Sequence, residues 1–281
     1  MPNLLWFICL AVIGIVTTAC AIYIKRDVYK VSTLLVFFMF TASYTWIGEF
    51  VVLGLFDAYA YKTGIFDNIW AQNLLGHLIL NTTLYPATAV VMVAFSLRYG
   101  WISFVAASFS LTEFVFVKLN LYEQHWWKYY MTPLVVFIFL SLTRKWFNKM
   151  EHGLSGATRS ITFFFVALLI IHTPAPILLL MGKQFYQLNW LSDLVGDRYL
   201  TSIIIIFFYH LIEALILVLF ICVLKKRFLW IFPVIISISV QYIFLKMDIL
   251  VLKDGWEFVY TLFMYEAFIT LFILVEKFTL K

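Results

Sequence analysis

The chain has 281 residues, of which 64% are hydrophobic and 12% are charged, and its mean hydropathy is +0.97. This composition excludes an ordinary water-soluble surface, so we expect the bilayer to be the main solvent and partner of the protein. The net charge of +5 does not indicate nucleic acid binding, because the basic residues occur in short clusters between apolar segments. The cysteines lack metal-ligand spacing, and we expect neither a metal nor a cofactor.

Apolar stretches of about 20 residues, the length of helix that crosses a bilayer core, are predicted as membrane spans. The predicted spans cover approximately residues 3–24, 31–55, 74–97, 101–119, 129–146, 161–181, 201–224, 229–248 and 256–278. The predicted fold class is therefore all-α, a polytopic transmembrane helical bundle of about nine spans that forms one transmembrane domain.

The basic residues predict the orientation of these spans. Thirteen of the twenty Lys and Arg residues fall on one side. Because cytoplasmic loops carry an excess of Lys and Arg, that side is assigned to the cytoplasm. We therefore expect a multi-pass protein of the cell membrane with its N-terminus outside and its C-terminus in the cytoplasm.

The sequence also contains an internal repeat. Residues 113–121 and then Trp127 recur as residues 241–249 and then Trp256, and every paired position is identical or chemically close. The spans then divide into repeat one, residues 31–147, and repeat two, residues 161–281. The first span is left unpaired, and residues 148–160 form a cytoplasmic linker. An even number of spans in each repeat predicts parallel repeats, related by an axis along the membrane normal.

Polar side chains in the first repeat mark candidate site positions at membrane depth. Glu49 lies in the second span, and His77 and Asn81 lie on or near one face of the third. Glu113 and Asn120 in the fourth span are seven residues apart, which predicts that they share a helical face. Charged groups at this depth are costly and are candidates for function.

The second repeat carries the corresponding positions with altered chemistry. Gln241 and Asp248 pair with Glu113 and Asn120, and His210 pairs with Asn81. One interpretation is a division of labour between the two copies. The alternative is a set of buried hydrogen bonds that only hold the repeats together.

The sharpest candidate site is His210 with Glu213, whose i, i+3 spacing predicts one helical face near mid-depth. The pair suits a proton relay or a bound cation, or it is a self-satisfied structural pair. As a metal site it lacks further ligands, for which His172, Glu266 and Glu49 are the candidates. Pro174 and Pro176 follow His172 and predict a broken or kinked sixth span. These polar groups are expected to converge on a cavity between the two repeats.

The pattern of a deep Glu113, then Lys118, a polar Asn120, a short loop and Trp127 resembles small multi-spanning proteins of Gram-positive bacteria that have no assigned function. The resemblance covers residues 81–127 and 210–256, so the pattern is present twice in tandem. It implies a bacterial membrane protein and assigns no role to any residue. Gln241 departs from the pattern, because a Glu is expected there.

Three functions follow from these features. Transport of a small molecule, proton or ion is favoured by the duplication, the proline-broken span and the polar groups at depth. A sensor or assembly protein, with a partner subunit bound through the polar stripes, is the alternative. An integral membrane enzyme acting on a lipid or isoprenoid is the third, with His210 and Glu213 as acid and base. The sequence contains none of the familiar soluble catalytic motifs, so an enzyme is the less favoured class.

Overall fold

The computed structural model describes residues 3–152 and 156–279. The chain divides into two compact units, Met1–Leu154 (unit one) and Ser155–Lys281 (unit two). Residues 153–155 of the predicted linker lie outside the described residues, and helices lie on both sides of them.

Unit one contains five helices and two short strands in its described part. The helices are α1 (Leu4–Lys25), α2 (Val31–Glu49), α3 (Ile69–Ala94), α4 (Tyr99–Lys118) and α5 (Met131–Glu151), and the strands are β1 (Tyr59–Tyr61) and β2 (Tyr122–Gln124). The second helix continues beyond Glu49 as a π-helical segment, Phe50–Leu55.

Unit two has a similar order of elements. Its helices are α6 (Gly156–His172), α7 (Pro174–Leu180), α8 (Asn189–Val195), α9 (Arg198–Leu217), α10 (Ile231–Lys246) and α11 (Phe258–Phe278), and its strands are β3 (Gln184–Tyr186) and β4 (Leu250–Leu252). A π-helical segment, Val218–Val223, extends α9, and a 3₁₀ turn precedes α10.

Eight helices in the described residues are long and apolar enough to cross a membrane. This agrees with the predicted all-α transmembrane class. The remaining predicted span forms the 21-residue helix α5, whose last turns carry Arg144, Lys145 and Lys149 and which falls outside that set. Large apolar side chains are exposed along the helices, as with Val12 at 52% and Phe263 at 79%, a surface suited to lipid.

Each unit contains a two-stranded antiparallel sheet that the sequence analysis did not predict. In unit one Ala60 pairs with Glu123, and in unit two Phe185 pairs with Val251. The strands lie in the connections between long helices. Their ladders satisfy backbone groups that would otherwise end unpaired beside the helix ends.

Left-handed residues end α4 and α10 earlier than the sequence predicted. Asn120 and Asp248 have φ of 56° and 54° and follow the last helical residues, Lys118 and Lys246. Short polar residues tolerate this conformation better than branched ones, which is why a helix can end there without glycine. Asn120 and Asp248 are exposed beyond the helices, so neither continues the buried helical face of Glu113 or Gln241.

The predicted proline break in the sixth span lies between α6 and α7. The two helices meet at Thr173, which keeps a helical φ of −52°. Its hydroxyl donates to the Leu169 carbonyl at 2.6 Å, and this carbonyl also accepts the Thr173 N–H. Pro174 and Pro176 remove the N–H groups that would bond to the carbonyls of Ile170 and His172.

The first helix packs along α3 and completes the core of unit one. The Phe7 ring contacts the rings of Tyr61 and Phe116, with centroids 5.9 and 5.5 Å apart. At Gly14 the two helices approach so closely that an added Cβ would lie 2.9 Å from the backbone of Thr83. Small residues at such crossings let membrane helices pack backbone to backbone.

We predict that Gly14→Ala destabilises the protein by about 1–3 kcal/mol, because the obstructing atoms belong to the backbone and cannot rotate away. Gly100→Ala is the matched control, because a Cβ at Gly100 meets nothing within 4 Å. It should be neutral or stabilising by up to about 1 kcal/mol. Thermal unfolding of both variants in one detergent checks this, and equal midpoints would contradict the close crossing.

Candidate functional site

Unit one contains a partly open cavity of about 180 Å³ that two carboxylates line. Glu49, at the end of α2, and Glu113, on α4, both line it, together with Asn81 on α3. Of the predicted site residues in this unit, the structure therefore brings these three together. Glu49 stands where α2 changes to π-helical geometry, a local distortion that is often found at functional sites.

Glu113 is held by hydrogen bonds to both of its oxygen atoms. Gln124 Nε2, from β2, donates to Oε1 at 2.6 Å, and the Thr132 hydroxyl donates to Oε2. The Trp127 indole N–H in turn donates to the Thr132 oxygen at 2.8 Å. Both carboxyl oxygens thus act as acceptors, which is the role of an ionised carboxylate.

Glu49 is oriented by the other strand of the sheet. The Tyr61 hydroxyl donates to Glu49 Oε1 at 2.8 Å, and the side chains of Tyr59 and Asn81 also approach this carboxyl group. Burial, and then the nearby charge of Glu49, raise the pKa of Tyr61 well above its usual value. Tyr61 therefore stays protonated and remains a hydrogen-bond donor.

His77 lies behind Asn81. Asn81 Nδ2 approaches His77 Nδ1 at 3.3 Å, and the imidazole ring packs on Trp46 with centroids 5.2 Å apart. His77 therefore supports the amide of Asn81, which itself faces the cavity.

The walls of the cavity combine negative charge with aromatic faces. Among the described residues that line it, none is Lys, Arg or His. Its aromatic residues are Tyr44, Tyr59, Tyr61, Tyr85, Phe109, Phe116, Tyr122, Trp127 and Phe139. Carboxylates and aromatic faces both attract cations, so the site is chemically suited to a cation with an apolar body.

In unit two, the predicted site residues His172, His210 and Gln241 belong to a buried series of hydrogen bonds. His172 Nδ1 lies 3.0 Å from His210 Nδ1, and His210 Nε2 lies 3.1 Å from the Tyr265 hydroxyl. The Tyr265 hydroxyl is 3.2 Å from that of Tyr186, which reaches Gln241 Oε1 at 3.3 Å. All five side chains are buried, and they come from four helices and β3.

The series of hydrogen bonds continues from Tyr186 to a tryptophan–threonine pair like the one that binds Glu113 in unit one. Gln184 Nε2 donates to the Tyr186 hydroxyl at 2.7 Å, and the Thr261 hydroxyl donates to Gln184 Oε1 at 2.9 Å. The Trp256 indole N–H donates to the Thr261 oxygen at 2.9 Å. Burial raises the pKa of Tyr186 to about 12, so its hydroxyl remains protonated.

The His and Tyr groups can order their protons in two directions. If Tyr265 donates to His210 Nε2, the proton on His210 Nδ1 points to His172. If His210 Nε2 donates to Tyr265 instead, His172 donates to His210. Only the second arrangement keeps the bond from the Tyr186 hydroxyl to Gln241 Oε1, because Tyr265 then donates to Tyr186 and accepts from His210 Nε2. The first arrangement turns the Tyr186 hydroxyl towards Tyr265 and removes its bond to Gln241.

The structure gives His210 and Glu213 separate partners. His210 bonds His172 and Tyr265, whereas Glu213 is approached by the hydroxyls of Ser237 and Tyr209. Glu213 faces an apolar groove beside α9 and α10. Glu266, on α11, is close enough to interact electrostatically with Glu213.

The sequence pattern did not identify the residues whose side chains connect the helices to the strands. Thr132 lies five residues after Trp127, and Thr261 lies five residues after Trp256, so extending the repeat would have found both. Tyr61, Gln184 and Tyr186 carried no comparable signal, because the three-residue strands were not recognised.

The comparisons with known proteins identify no match. No family model, no curated protein and no solved structure matches the chain. In the described ranges, 3–152 and 156–279, no three His, Cys, Asp or Glu side chains are grouped so that they could hold a metal ion.

We predict that Tyr265→Phe lowers the stability of the protein by about 1–2 kcal/mol. This exceeds the ~0.6 kcal/mol average of polar contacts between membrane helices, because His210 and Tyr186 lose a partner together. Tyr260→Phe, at a position that is 47% exposed, is the control and should have no measurable effect. Equal unfolding midpoints for both variants would show that the chain of hydrogen bonds does not stabilise unit two.

Proposed function

We propose that this protein binds a small organic cation in the cavity of unit one and carries it across the membrane. The observation that carries the proposal is that Glu49 and Glu113 line one cavity with aromatic walls, while none of its described lining residues is basic. The expected substrate is therefore an amine or quaternary ammonium compound with an apolar body.

Two carboxylates in one low-dielectric cavity favour a positively charged occupant. Moving an isolated charge out of water costs several kcal/mol, and a second like charge nearby raises that cost. A bound cation offsets both effects. Gln124, Thr132 and Tyr61 already fix the carboxyl groups in place, so a ligand need not order them.

The cavity also limits the size of the ligand. A cavity of about 150 Å³ holds benzene, and this one measures about 180 Å³. A phenyl ring is expected to fit inside, with the methyl groups of its ammonium substituent extending into the open part of the cavity, whereas a phospholipid is too large.

A tandem duplication within this transporter is part of the proposal, and three features support it. In both sheets the residue after the first strand donates its N–H across the ladder, Lys62 to the Leu121 carbonyl and Gln187 to the Ile249 carbonyl. Trp127 and Trp256 each donate to a Thr five residues later. Left-handed residues follow α4 and α10 at the paired positions Asn120 and Asp248.

The proposed topology has nine spans, with α5 crossing as the ninth. Its 21 residues extend over about 31 Å, enough for a hydrocarbon core, and its basic residues lie at one end. With the bias of Lys and Arg, nine spans support the proposal that the N-terminus lies outside and the C-terminus in the cytoplasm of a bacterial cell.

A sensor or assembly role is the second candidate function. It is favoured by unit two, where His210, Tyr265, Tyr186 and Gln241 are all buried and bonded to one another. Such a closed set of contacts needs no substrate. The enzyme alternative has weaker support, because acid and base must reach one reacting centre and His210 and Glu213 have separate partners.

Binding of phenyltrimethylammonium to the purified protein tests the proposal. We expect saturable binding by calorimetry, at least tenfold weaker in Glu49→Gln and in Glu113→Gln, and absent in the double variant, because a buried charge pair is lost. Glu151→Gln changes an exposed carboxylate and is the matched control.

The neutral isostere tert-butylbenzene distinguishes the contribution of the ligand's charge to binding from that of its shape. It should bind wild type and the double variant equally. Unchanged affinity for phenyltrimethylammonium in the double variant would overturn cation binding. Binding without flux of the compound into proteoliposomes would reject transport and favour the sensor role.

A further inference from the structure

Unit two contains a second site, an apolar groove of about 460 Å³ beside α9 and α10 with α8 at one end. Its lining extends along α9 from Ile204 to Ile216, a rise of about 18 Å. Trp190 and Leu188 lie at the α8 end. Almost the whole surface of the groove is apolar, and its polar side chains are Tyr209, Glu213 and Ser237.

These three polar side chains lie together and have unsatisfied hydrogen-bonding capacity. Glu213 is only 5% exposed, and neither of its oxygens makes a hydrogen bond of good geometry. The Ser237 and Tyr209 hydroxyls approach Glu213 but are likewise without a well-formed bond. A ligand that donates hydrogen bonds to this carboxyl group would stabilise the protein, because a buried carboxyl group without a partner costs about 1–3 kcal/mol or more.

The length and volume of the groove suit a single hydrocarbon chain. From Ile204 to Glu213 the rise is about 14 Å, and an extended chain advances roughly 1.2 Å per bond, so about twelve bonds span this length.

We propose that this groove binds a long-chain primary amine whose ammonium group pairs with Glu213 and the Ser237 and Tyr209 hydroxyls. The chain extends along α9 towards Leu188 and Trp190. An ammonium group supplies three donors and one positive charge, which matches one carboxylate and two hydroxyls. Glu266 adds a second negative charge close to Glu213 and strengthens the preference for a cation. This site is separate from the cavity of unit one and does not depend on the transport proposal.

Native mass spectrometry with dodecylamine and dodecanol tests the inference. The Glu49→Gln, Glu113→Gln double variant serves as the background, so that binding in unit one is removed. We expect one dodecylamine to bind at least tenfold more tightly than dodecanol. Adding Glu213→Gln should weaken dodecylamine at least tenfold, whereas Glu257→Gln, at an exposed position, should leave it unchanged.

A second variant and a lipid competitor complete the test. Val240→Trp fills the groove without removing a charge and should also abolish dodecylamine binding. Equal binding of dodecanol and dodecylamine, or unchanged binding in Glu213→Gln, would overturn the assignment. Displacement of dodecylamine by phosphatidylethanolamine at equal concentration would assign the site to a lipid headgroup and overturn the long-chain amine.

Discussion

A polar group in a low-dielectric interior is costly without a hydrogen-bond partner, and each unit supplies such partners in a similar way. In each, a threonine hydroxyl accepts the indole N–H of a tryptophan and donates to a side-chain oxygen. Thr132 donates to Glu113 in unit one, and Thr261 donates to Gln184 in unit two. These links tie a helix, a loop and a short sheet together. The sheets are small, but they carry the side chains that satisfy the polar residues on the helices.

The two units contain similar hydrogen-bonded links but differ in the chemistry beside them. Unit one keeps a carboxylate, Glu113, and leaves a cavity beside it that a second carboxylate also faces. In unit two Gln241 stands at the corresponding sequence position, and its Oε1 accepts from the Tyr186 hydroxyl in a series of hydrogen bonds between neutral groups. The cavity of unit one lies beside Glu113, whereas the Gln241 amide of unit two bonds to the Tyr186 hydroxyl. The buried carboxyl group of unit two, Glu213, lies at the apolar groove instead.

Much of the fold could be predicted from the sequence, because apolar length alone identifies spans. The observed helices begin and end within a few residues of the predictions for most spans, and the interruption at Thr173 lies where Pro174 required it. The sheets could not be predicted, since strands of three residues carry no period. Asp248 was expected on a helical face, but a left-handed turn ends the helix before it. The sequence places Glu49 and Glu113 within predicted spans, whereas their meeting at one cavity depends on helix rotation and packing.

A crystal structure with 4-bromophenyltrimethylammonium would show whether Glu49 and Glu113 share one bound cation, because the anomalous signal of bromine locates the compound. We expect one bromine peak among the aromatic side chains of the unit one cavity, with the ammonium group within contact distance of both carboxylates. A cavity without the compound at saturating concentration, or an ammonium group remote from both carboxylates, would contradict it.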